Sequence, residues 1–358
     1  MKTHPVRIEL TRAEFEQFRT LLEREGGLAM DPARQGLLQA GVAARMEAHA
    51  LASIADYFRL LFSASGGRAE VRALLQSVTV GETQFFRYPA QFDALTRHLV
   101  PALVQARGRE RRLAVWSAGC ATGEEVYSIV VALLEALPQP ATWALTVLAT
   151  DLHRGSVARA QGGWYPARAL RGVPPAWREK YFLPEAEGYR VREAVRRLVR
   201  VIPHNLARDP FTLPEMREVD LLWCRNVTIY MTPETTKQLI GQFAGAICDG
   251  GYLFLGHAET LWGVSNEFTP VVFPEAVVYQ KTAARPSGSA RSDLAPPRQA
   301  FRSHPNGGDF TGTGGVPAAG AAAPVPSARR EAPAPPQRPQ DPSVQYSLAS
   351  RLSAASPN

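Results

Sequence analysis

The chain has 358 residues, 45% of them hydrophobic, and its formal net charge is +7 at pH 7. This length and composition predict a globular protein of one large or two ordinary domains. The three cysteines lack a C-x-x-C spacing, which argues against a disulfide framework or a metal site and favours a reducing, cytoplasmic location. Because no segment has the pattern of a signal peptide or a membrane span, we expect neither export nor membrane insertion.

Residues 1–80 have the pattern of a separate helical domain. Thr11 and Glu14 form a capping-box pattern, and an apolar stripe follows at helical spacing. Further helices are predicted after residue 32 and over 46–62.

The positive charge of the chain suggests an anionic partner. Arg34 and Arg45 lie outside the apolar stripe, where they form either a docking face for an acidic protein or an ordinary solvated face. A nucleic acid is the other candidate, but charge is weak evidence for it, since arginine-rich compositions are common in soluble proteins.

Beyond Val80, strands and helices alternate, which predicts an α/β domain with a mostly parallel, doubly wound sheet. A helix is expected at 91–105. Strands are expected at 113–116, 145–149, 199–203, 221–224, 252–255 and 276–280. Such a sheet binds its ligand at the carboxyl ends of the strands, where polar residues collect in this sequence: Asp151, Asn205, Arg225, Asn226 and His257.

The turn after the first predicted strand is the most informative segment. Gly119 and Gly123 allow the backbone to approach a ligand closely, and Glu124 and Glu125 open the next helix. Two carboxylates at a helix N-terminus repel a pyrophosphate. A phosphate-free adenosine cofactor with a cationic group fits better, and S-adenosylmethionine is the commonest one. The alternative is a merely tight turn.

Two other strand ends carry charged residues. Asp151 either accepts hydrogen bonds from the ribose diol of such a cofactor or caps the next helix. Arg225 either forms a forked pair with an anionic group or bridges loops. No proline follows Asn226 and no cysteine follows a proline, so the motifs of amino-directed and of pyrimidine C5 nucleic acid methyltransferases are both missing.

Six motifs in order resemble those of the chemotaxis-receptor glutamate methyltransferases, the CheR family. The resemblance extends from about residue 10 to 283. The motifs are Thr-x-Phe-Phe-Arg from Thr83, Trp-Ser-Ala-Gly-Cys-Ala-Thr-Gly-Glu-Glu from Trp116, Ala-Thr-Asp-Leu from Ala149, His-Asn-Leu from His204, Cys-Arg-Asn-Val-x-Ile-Tyr from Cys224, and Leu-Gly-His-Ala-Glu from Leu255.

The resemblance implies a fold and its divisions. We expect an all-α N-terminal domain at 1–80 and a class I, Rossmann-like methyltransferase domain at 81–283 with a small inserted antiparallel β-subdomain at about 181–201. The Pro/Ala-rich segment 284–358 has no core-forming pattern and is predicted to be a disordered tail.

The resemblance also implies the roles of the site residues. Arg87 and Tyr230 are expected nearest the reacting methyl group, and Gly81 stands where the family often has an asparagine. The expected contacts of S-adenosylmethionine are Thr83, Arg87, Gly119, Glu125, Asp151, Asn205, Leu206, Arg225 and Asn226.

The implied activity is transfer of a methyl group to glutamate side chains in the cytoplasmic helical domain of chemoreceptors, in chemotaxis adaptation. The predicted turn at Glu187 and Gly188 is short, so we expect recognition without a pentapeptide tether, by a monomer. Two alternatives are a receptor-docking or cofactor-sensing module with little turnover, and a nucleic acid methyltransferase.

Overall fold

The N-terminal part of the protein is a cluster of four α-helices in the computed structural model, which describes residues 8–79 and 81–282. The predicted tail at 284–358 lies outside these residues. A 3-10 turn, Pro32–Arg34, precedes the second helix. The helices are α1 (Arg12–Gly26), α2 (Gln35–Ala48), α3 (Ile54–Leu61) and α4 (Gly67–Ser77).

Local capping explains where these helices begin and end. The capping box is present: the Thr11 hydroxyl accepts from the Glu14 N–H, and the Glu14 carboxylate accepts from the Thr11 N–H at 2.8 Å. The helix predicted over 46–62 is instead divided. The Ser53 hydroxyl accepts from the Asp56 N–H and starts α3, so 49–53 form a connection.

The helical domain is joined closely to the rest of the chain and is not separate from it. The Ala29 N–H donates to the Tyr230 carbonyl at 2.8 Å, and the Thr232 N–H donates to the Gly27 carbonyl at 2.9 Å. A bridge between Leu28 and Met231 lies between these two bonds. We call this short antiparallel pairing the domain seam.

The second domain is built on a seven-stranded sheet with the order β6-β2-β1-β7-β8-β10-β9. The first five strands in this order are parallel, and β10 is antiparallel to both of its neighbours. The strands are β1 (Arg112–Ala118), β2 (Ala144–Asp151), β6 (Val199–Pro203), β7 (Val219–Trp223), β8 (Ile247–Phe254), β9 (Phe268–Phe273) and β10 (Ala276–Lys281). From β1 the chain adds β2 and β6 on one side of the sheet and then crosses to add β7 and β8 on the other, so the topological switch point lies between β1 and β7.

Helices cover both faces of this sheet, so the predicted Rossmann-like class is confirmed. The helix expected at 91–105 runs from 89 to 107 and contains a π-helical segment, Leu95–Leu99. None of the described helices is long and apolar enough to cross a membrane. The helices are α5 (Pro89–Ala94), α6 (Val100–Arg107), α7 (Glu124–Ala136), α8 (Arg154–Gly162), α9 (Pro175–Tyr181), α10 (Glu193–Arg196) and α11 (Pro233–Ala246).

A small antiparallel sheet is inserted between β2 and β6. Its order is β3-β5-β4, with strands β3 (Trp164–Pro166), β4 (Phe182–Glu185) and β5 (Gly188–Val191). The predicted bounds of 181–201 differ from it at both ends. They omit β3, whose three residues are too few to show a periodic pattern, and they include Val199–Val201, which belongs to β6 of the main sheet.

Candidate functional site

One cavity lies at the carboxyl ends of β1, β2, β6 and β7, where the helical domain also contributes Gly26 and Leu28 to its wall. A doubly wound sheet places its ligand at this edge. The site residues that the motifs assigned all line this one cavity: Thr83, Arg87, Gly119, Glu125, Asp151, Asn205, Leu206, Arg225, Asn226 and Tyr230. His257, also expected at this edge of the sheet, instead lies against the Tyr88 ring, with 3.9 Å between the ring centroids.

The glycine turn after β1 brings backbone against the cavity. Gly119 has a φ of 89°, and a Cβ there would lie 2.5 Å from Cγ2 of Val227. Gly123 begins α7 with a φ of 98°. The two following glutamates separate: Glu124 is buried with its carboxylate accepting from the Thr122 hydroxyl at 2.6 Å, whereas Glu125 lines the cavity.

Asp151 ends β2 and lines the cavity. Its two carboxylate oxygens accept from the Ala121 N–H at 2.8 Å and from the His153 N–H at 2.7 Å. It does not cap α8, because His153 is the N-cap residue and accepts from the Ser156 N–H. Burial raises the pKa of Asp151, and the two backbone donors oppose this effect. Each oxygen keeps a lone pair for a further donor.

Glu125 and Arg225 form the charged wall of the cavity. A guanidinium nitrogen of Arg225 lies 3.4 Å from the Glu125 carboxylate, which also accepts from the Ser117 hydroxyl at 2.9 Å. Burial raises the pKa of Glu125 and lowers the pKa of Arg225, and the attraction between the two opposes both shifts. Another Arg225 nitrogen donates to the Arg87 carbonyl at 2.8 Å, and the guanidinium lies over the Tyr88 ring at 4.7 Å.

The segment that carries Arg87 has an unusual backbone. Phe86 and Tyr88 have φ angles of 52° and 65°, in the left-handed region, which costs a non-glycine residue about 1 kcal/mol or more. The Phe86 N–H donates to the buried Ser128 hydroxyl at 2.9 Å, which holds the segment in place. Arg87 donates to the Glu82 carbonyl at 3.1 Å.

Tyr230 lies at the domain seam and is shared between the two domains. Its carbonyl accepts from Ala29, its ring is covered by the guanidinium of Arg34 at 5.0 Å, and it lines the cavity. Arg34 also donates to the carbonyls of Ala29 and Ile229, at 3.0 and 3.2 Å.

Arg34 and Arg45, where a docking face or a solvated face was expected, are both half-buried and bonded within the protein. Arg34 is engaged at the domain seam, and Arg45 makes two hydrogen bonds to the buried Glu70, at 2.9 and 2.7 Å. A pairing across 25 residues in sequence gives no local signal, so both side chains resembled solvated charges in the helical pattern.

Asn205 and Leu206 follow β6. The Asn205 amide is already used within the protein, because it donates to the Glu25 carbonyl at 2.9 Å and accepts from the Ala207 N–H at 3.0 Å. Leu206 is buried and presents an apolar side chain to the cavity. The neighbouring His204 also lines the cavity, and its buried Nε2 has no hydrogen-bond partner among the described residues.

Glu259 is a residue whose importance the sequence reasoning missed. Its buried carboxylate accepts from four backbone N–H groups: those of Asn226 at 2.7 Å, Val227 at 3.0 Å, Thr228 at 2.8 Å and Gly256 at 2.6 Å. It thereby fixes the loop that carries Arg225 and Asn226. Glu259 is the last residue of the Leu-Gly-His-Ala-Glu motif, and its place in that motif is the one feature of the sequence that could have indicated its role.

Gly81, noted as a departure from the family pattern, also lines the cavity. A Cβ at this position would find only ordinary contacts, 3.8 Å from Cβ of Ala121 and 3.9 Å from Oγ of Ser156. A larger residue would therefore fit at this position. With glycine there, the cavity wall lacks the side chain that an asparagine would contribute.

The fold and this cavity define a Rossmann-like protein with a ligand site at the switch point of its sheet. Residues 81–277 match the family model described as CheR methyltransferase, SAM binding domain, and residues 13–79 match CheR methyltransferase, all-alpha domain. The chain belongs to the CheR methyltransferase family and is an S-adenosylmethionine-dependent methyltransferase.

Curated relatives agree with this assignment. The chain is 30% identical to chemotaxis protein methyltransferase 2 of Vibrio cholerae serotype O1, over 76% of this chain and 94% of the relative. It is 34% identical to the probable biofilm formation methyltransferase WspC of Pseudomonas aeruginosa, over 79% of this chain and 66% of the relative. The solved structure of magnesium protoporphyrin IX methyltransferase from Synechocystis PCC 6803 matches 77% of this chain and 100% of its own chain, with 13% identity. The TM-score of this match is 0.29, which is too low to support a conclusion.

The residues of the cavity fit S-adenosylmethionine. Asp151 offers carboxylate lone pairs for ribose hydroxyls, Leu206 an apolar surface for the adenine, and Glu125 a negative charge for the cationic part. Arg225 faces the same cavity with a buried Nε that has no hydrogen-bond partner among the described residues, which suits an anionic group.

Proposed function

We propose that this enzyme methylates glutamate side chains in the cytoplasmic helical domain of chemoreceptors and so serves chemotaxis adaptation. The observation that carries the proposal is that Arg87 and Tyr230, whose side chains both carry hydrogen-bond donors, line the same cavity. A carboxylate is already ionised at neutral pH, so its methylation needs orientation and exclusion of water but no general base. Hydrogen-bond donors can orient a carboxylate in this way.

In the proposed reaction, a glutamate oxygen forms a bond to the methyl carbon while the methyl–sulfur bond breaks. The products are a glutamate methyl ester and S-adenosylhomocysteine, and no proton is transferred. The cofactor supplies an electrophilic methyl group on a sulfonium. Arg87 and Tyr230 orient the attacking carboxylate, and alignment of this kind is worth on the order of 7 kcal/mol or more. Arg87 is half-buried, so solvent weakens its attraction for the glutamate carboxylate. A fully buried ion pair would hold the carboxylate more tightly and make it a weaker nucleophile.

We assign the cofactor contacts as follows. Asp151 binds the ribose, Leu206 flanks the adenine and Arg225 holds the anionic end, while Thr83 and Gly119 shape the space near the methyl group. Asn205 supports the adenine side mainly through its backbone and its position, since its amide is used by Glu25 and Ala207.

We propose that receptor recognition needs no pentapeptide tether and that the enzyme acts as a monomer. The turn between β4 and β5 consists of two residues, Ala186 and Glu187, whereas the CheR relatives that grip a pentapeptide are expected to have a longer, glycine-rich turn there. The name of the Pseudomonas relative raises biofilm formation as a second output of the same reaction.

The proposed reaction is tested with labelled S-adenosylmethionine and soluble receptor cytoplasmic fragments. We expect label in the fragment that alkali releases as methanol, because glutamate methyl esters hydrolyse under base. A fragment with glutamine at the methylated positions is the matched control and should stay unlabelled. Label in RNA or DNA, or a base-stable label in protein, would contradict the proposal; binding of cofactor and fragment without turnover would favour a docking or sensing module.

A further inference from the structure

A groove adjoins the cofactor cavity, and Thr83 lines both. Part of the groove is aromatic. The Phe86 ring lies 5.1 Å from the Phe92 ring and 5.2 Å from the Trp177 ring, between centroids. Phe86 and Phe92 are buried and support Trp177, which is half-buried and is the ring of this cluster that the groove exposes. None of these three side chains has a role in the reaction proposed above.

Two arginines stand at this groove on one short element. Arg168 and Arg171 belong to the 3-10 helix Ala167–Gly172, where residues three apart point in the same direction. Buried Leu170 anchors this helix to the core. Both arginines are exposed, and neither forms an ion pair within the part of the chain that the structure describes.

Unlike Arg168 and Arg171, the charged side chains nearby form ion pairs. On the inserted sheet and the helix after it, Arg190 pairs with Glu185 and Arg196 pairs with Glu193. The acids of the groove have their own cationic counterparts, since Asp93 lies 3.5 Å from Arg97 and the charge of the buried Glu124 is opposed by Arg159, which also lines the groove. The uncompensated charge of the groove is therefore positive.

We propose that this groove docks the acidic, amphipathic helical segment of the receptor that carries the methylated glutamate, an inference that rests on the proposed function. A helix from a bundle has an apolar stripe beside a charged face. Its apolar stripe packs on Trp177 and on the exposed Pro89 and Pro174 of the groove wall, and its carboxylates meet Arg168 and Arg171. Thr83, at the border of groove and cavity, marks the place where a glutamate of that helix enters the site. This surface is distinct from the one expected around Arg34 and Arg45.

The test compares two double variants that remove the same charge. Arg168→Gln with Arg171→Gln changes the groove. Arg109→Gln with Arg217→Gln changes exposed arginines that precede β1 and β7, at the opposite edge of the sheet. The probe is a fluorescently labelled, soluble cytoplasmic fragment of a methyl-accepting receptor from the same organism. Binding is followed by anisotropy, and KM and kcat by methyl transfer.

For the groove variant we expect the Kd and KM for the fragment to rise about tenfold at low salt, with kcat and cofactor affinity unchanged. The control variant should change them by about twofold or less, and added salt should shrink the difference. Equal Kd values for the two variants, no binding of the fragment by the wild type, or a selective loss of single-stranded oligonucleotide binding would each overturn the proposal. Arginine-dependent binding without methyl transfer would support the groove and contradict the proposed reaction.

Discussion

Two buried carboxylate sites, one in each domain, show what distinguishes a structural acid from a ligand-binding one. In the helical domain, Glu70 accepts from Arg45 twice, from the Tyr57 hydroxyl at 2.8 Å and from His49 at 2.6 Å. Burial acts to raise the pKa of Glu70, but Arg45, Tyr57 and His49 together outweigh it and the pKa is lowered.

In the cavity the balance is reversed. Burial raises the pKa of both Asp151 and Glu125, and their partners do not compensate: two backbone N–H groups for Asp151, and a serine with an arginine at 3.4 Å for Glu125. The cavity carboxylates therefore retain attraction for a cationic or hydroxyl-bearing ligand, whereas the attraction of Glu70 is already used inside the fold.

The largest expected effect is on stability, at Glu70. Glu70→Ala leaves Arg45 and Tyr57 without their buried partner, so we expect the free energy of unfolding to fall by about 3 to 5 kcal/mol. Urea denaturation measures it. Glu16→Ala, which removes an exposed pair with Arg19, is the control and should cost about 1 kcal/mol or less. Similar losses in the two variants would mean that the buried Glu70 stabilises the fold no more than an exposed acid does.

The pH dependence of this stability has a defined sign. The folded-state pKa of Glu70 lies below its ordinary value of 4.5, so its stabilisation is fully present above pH 4.5 and is lost as the pH falls through the lower, folded-state value. Glu70→Gln should flatten the decline of stability in that acidic range.

The next largest effect is on turnover, in the cavity. Arg87→Ala should lower kcat about 100-fold, since the proposed reaction would lose a donor that orients its carboxylate. Tyr230→Phe should lower kcat about tenfold. Tyr57→Phe is the matched control: it removes the same atom from a tyrosine bonded to Glu70 and should reduce stability with kcat unchanged. A wild-type kcat for Arg87→Ala and Tyr230→Phe would exclude both residues from the reaction.

Asp151→Ala should have a smaller effect, confined to cofactor binding. Loss of the acceptor for the ribose should weaken S-adenosylmethionine binding by about 1 to 3 kcal/mol, measured by calorimetry. Asp93→Ala removes an acid outside the cavity and should leave this affinity unchanged. An unaltered Kd in Asp151→Ala would place the ribose elsewhere.

The smallest expected effect is the pH dependence of cofactor affinity. Because burial holds the pKa of Asp151 above its ordinary 3.8, the empty site takes up a proton at a higher pH than an exposed aspartate does. The cofactor prefers the ionised carboxylates, so its Kd should rise as the pH falls toward that raised value, and binding should release protons there. Asp151→Ala should weaken this dependence, and a Kd independent of pH would contradict it.

The sequence predicted much of the fold and of the cavity wall, because the strand ends and turns that form the wall lie within six local motifs. Asp151 ends one apolar strand, Arg225 and Asn226 come within three residues of the end of another, and parallel strands bring such positions to one edge. The class of fold follows from the same alternation.

The contacts that the sequence did not predict are long-range or involve the backbone. The Arg45–Glu70 pair joins two helices, and Glu259 binds backbone N–H groups, which no side-chain pattern records. The strand Trp164–Pro166 is too short to be periodic. Each of these depends on how elements pack and not on local propensity.

Because of the domain seam, the two domains are not independent structural units. Gly27 ends α1 with a φ of 66°, a Cβ there would lie 2.4 Å from Cγ2 of Thr235, and its carbonyl accepts from Thr232. The backbone on either side of Tyr230 is thus held by residues encoded some 200 positions earlier. A foreign helical domain joined to this sheet would have to reproduce Gly27 and its neighbours before Tyr230 could regain its place. Substitution of exposed side chains therefore disturbs this enzyme less than recombination at the domain boundary.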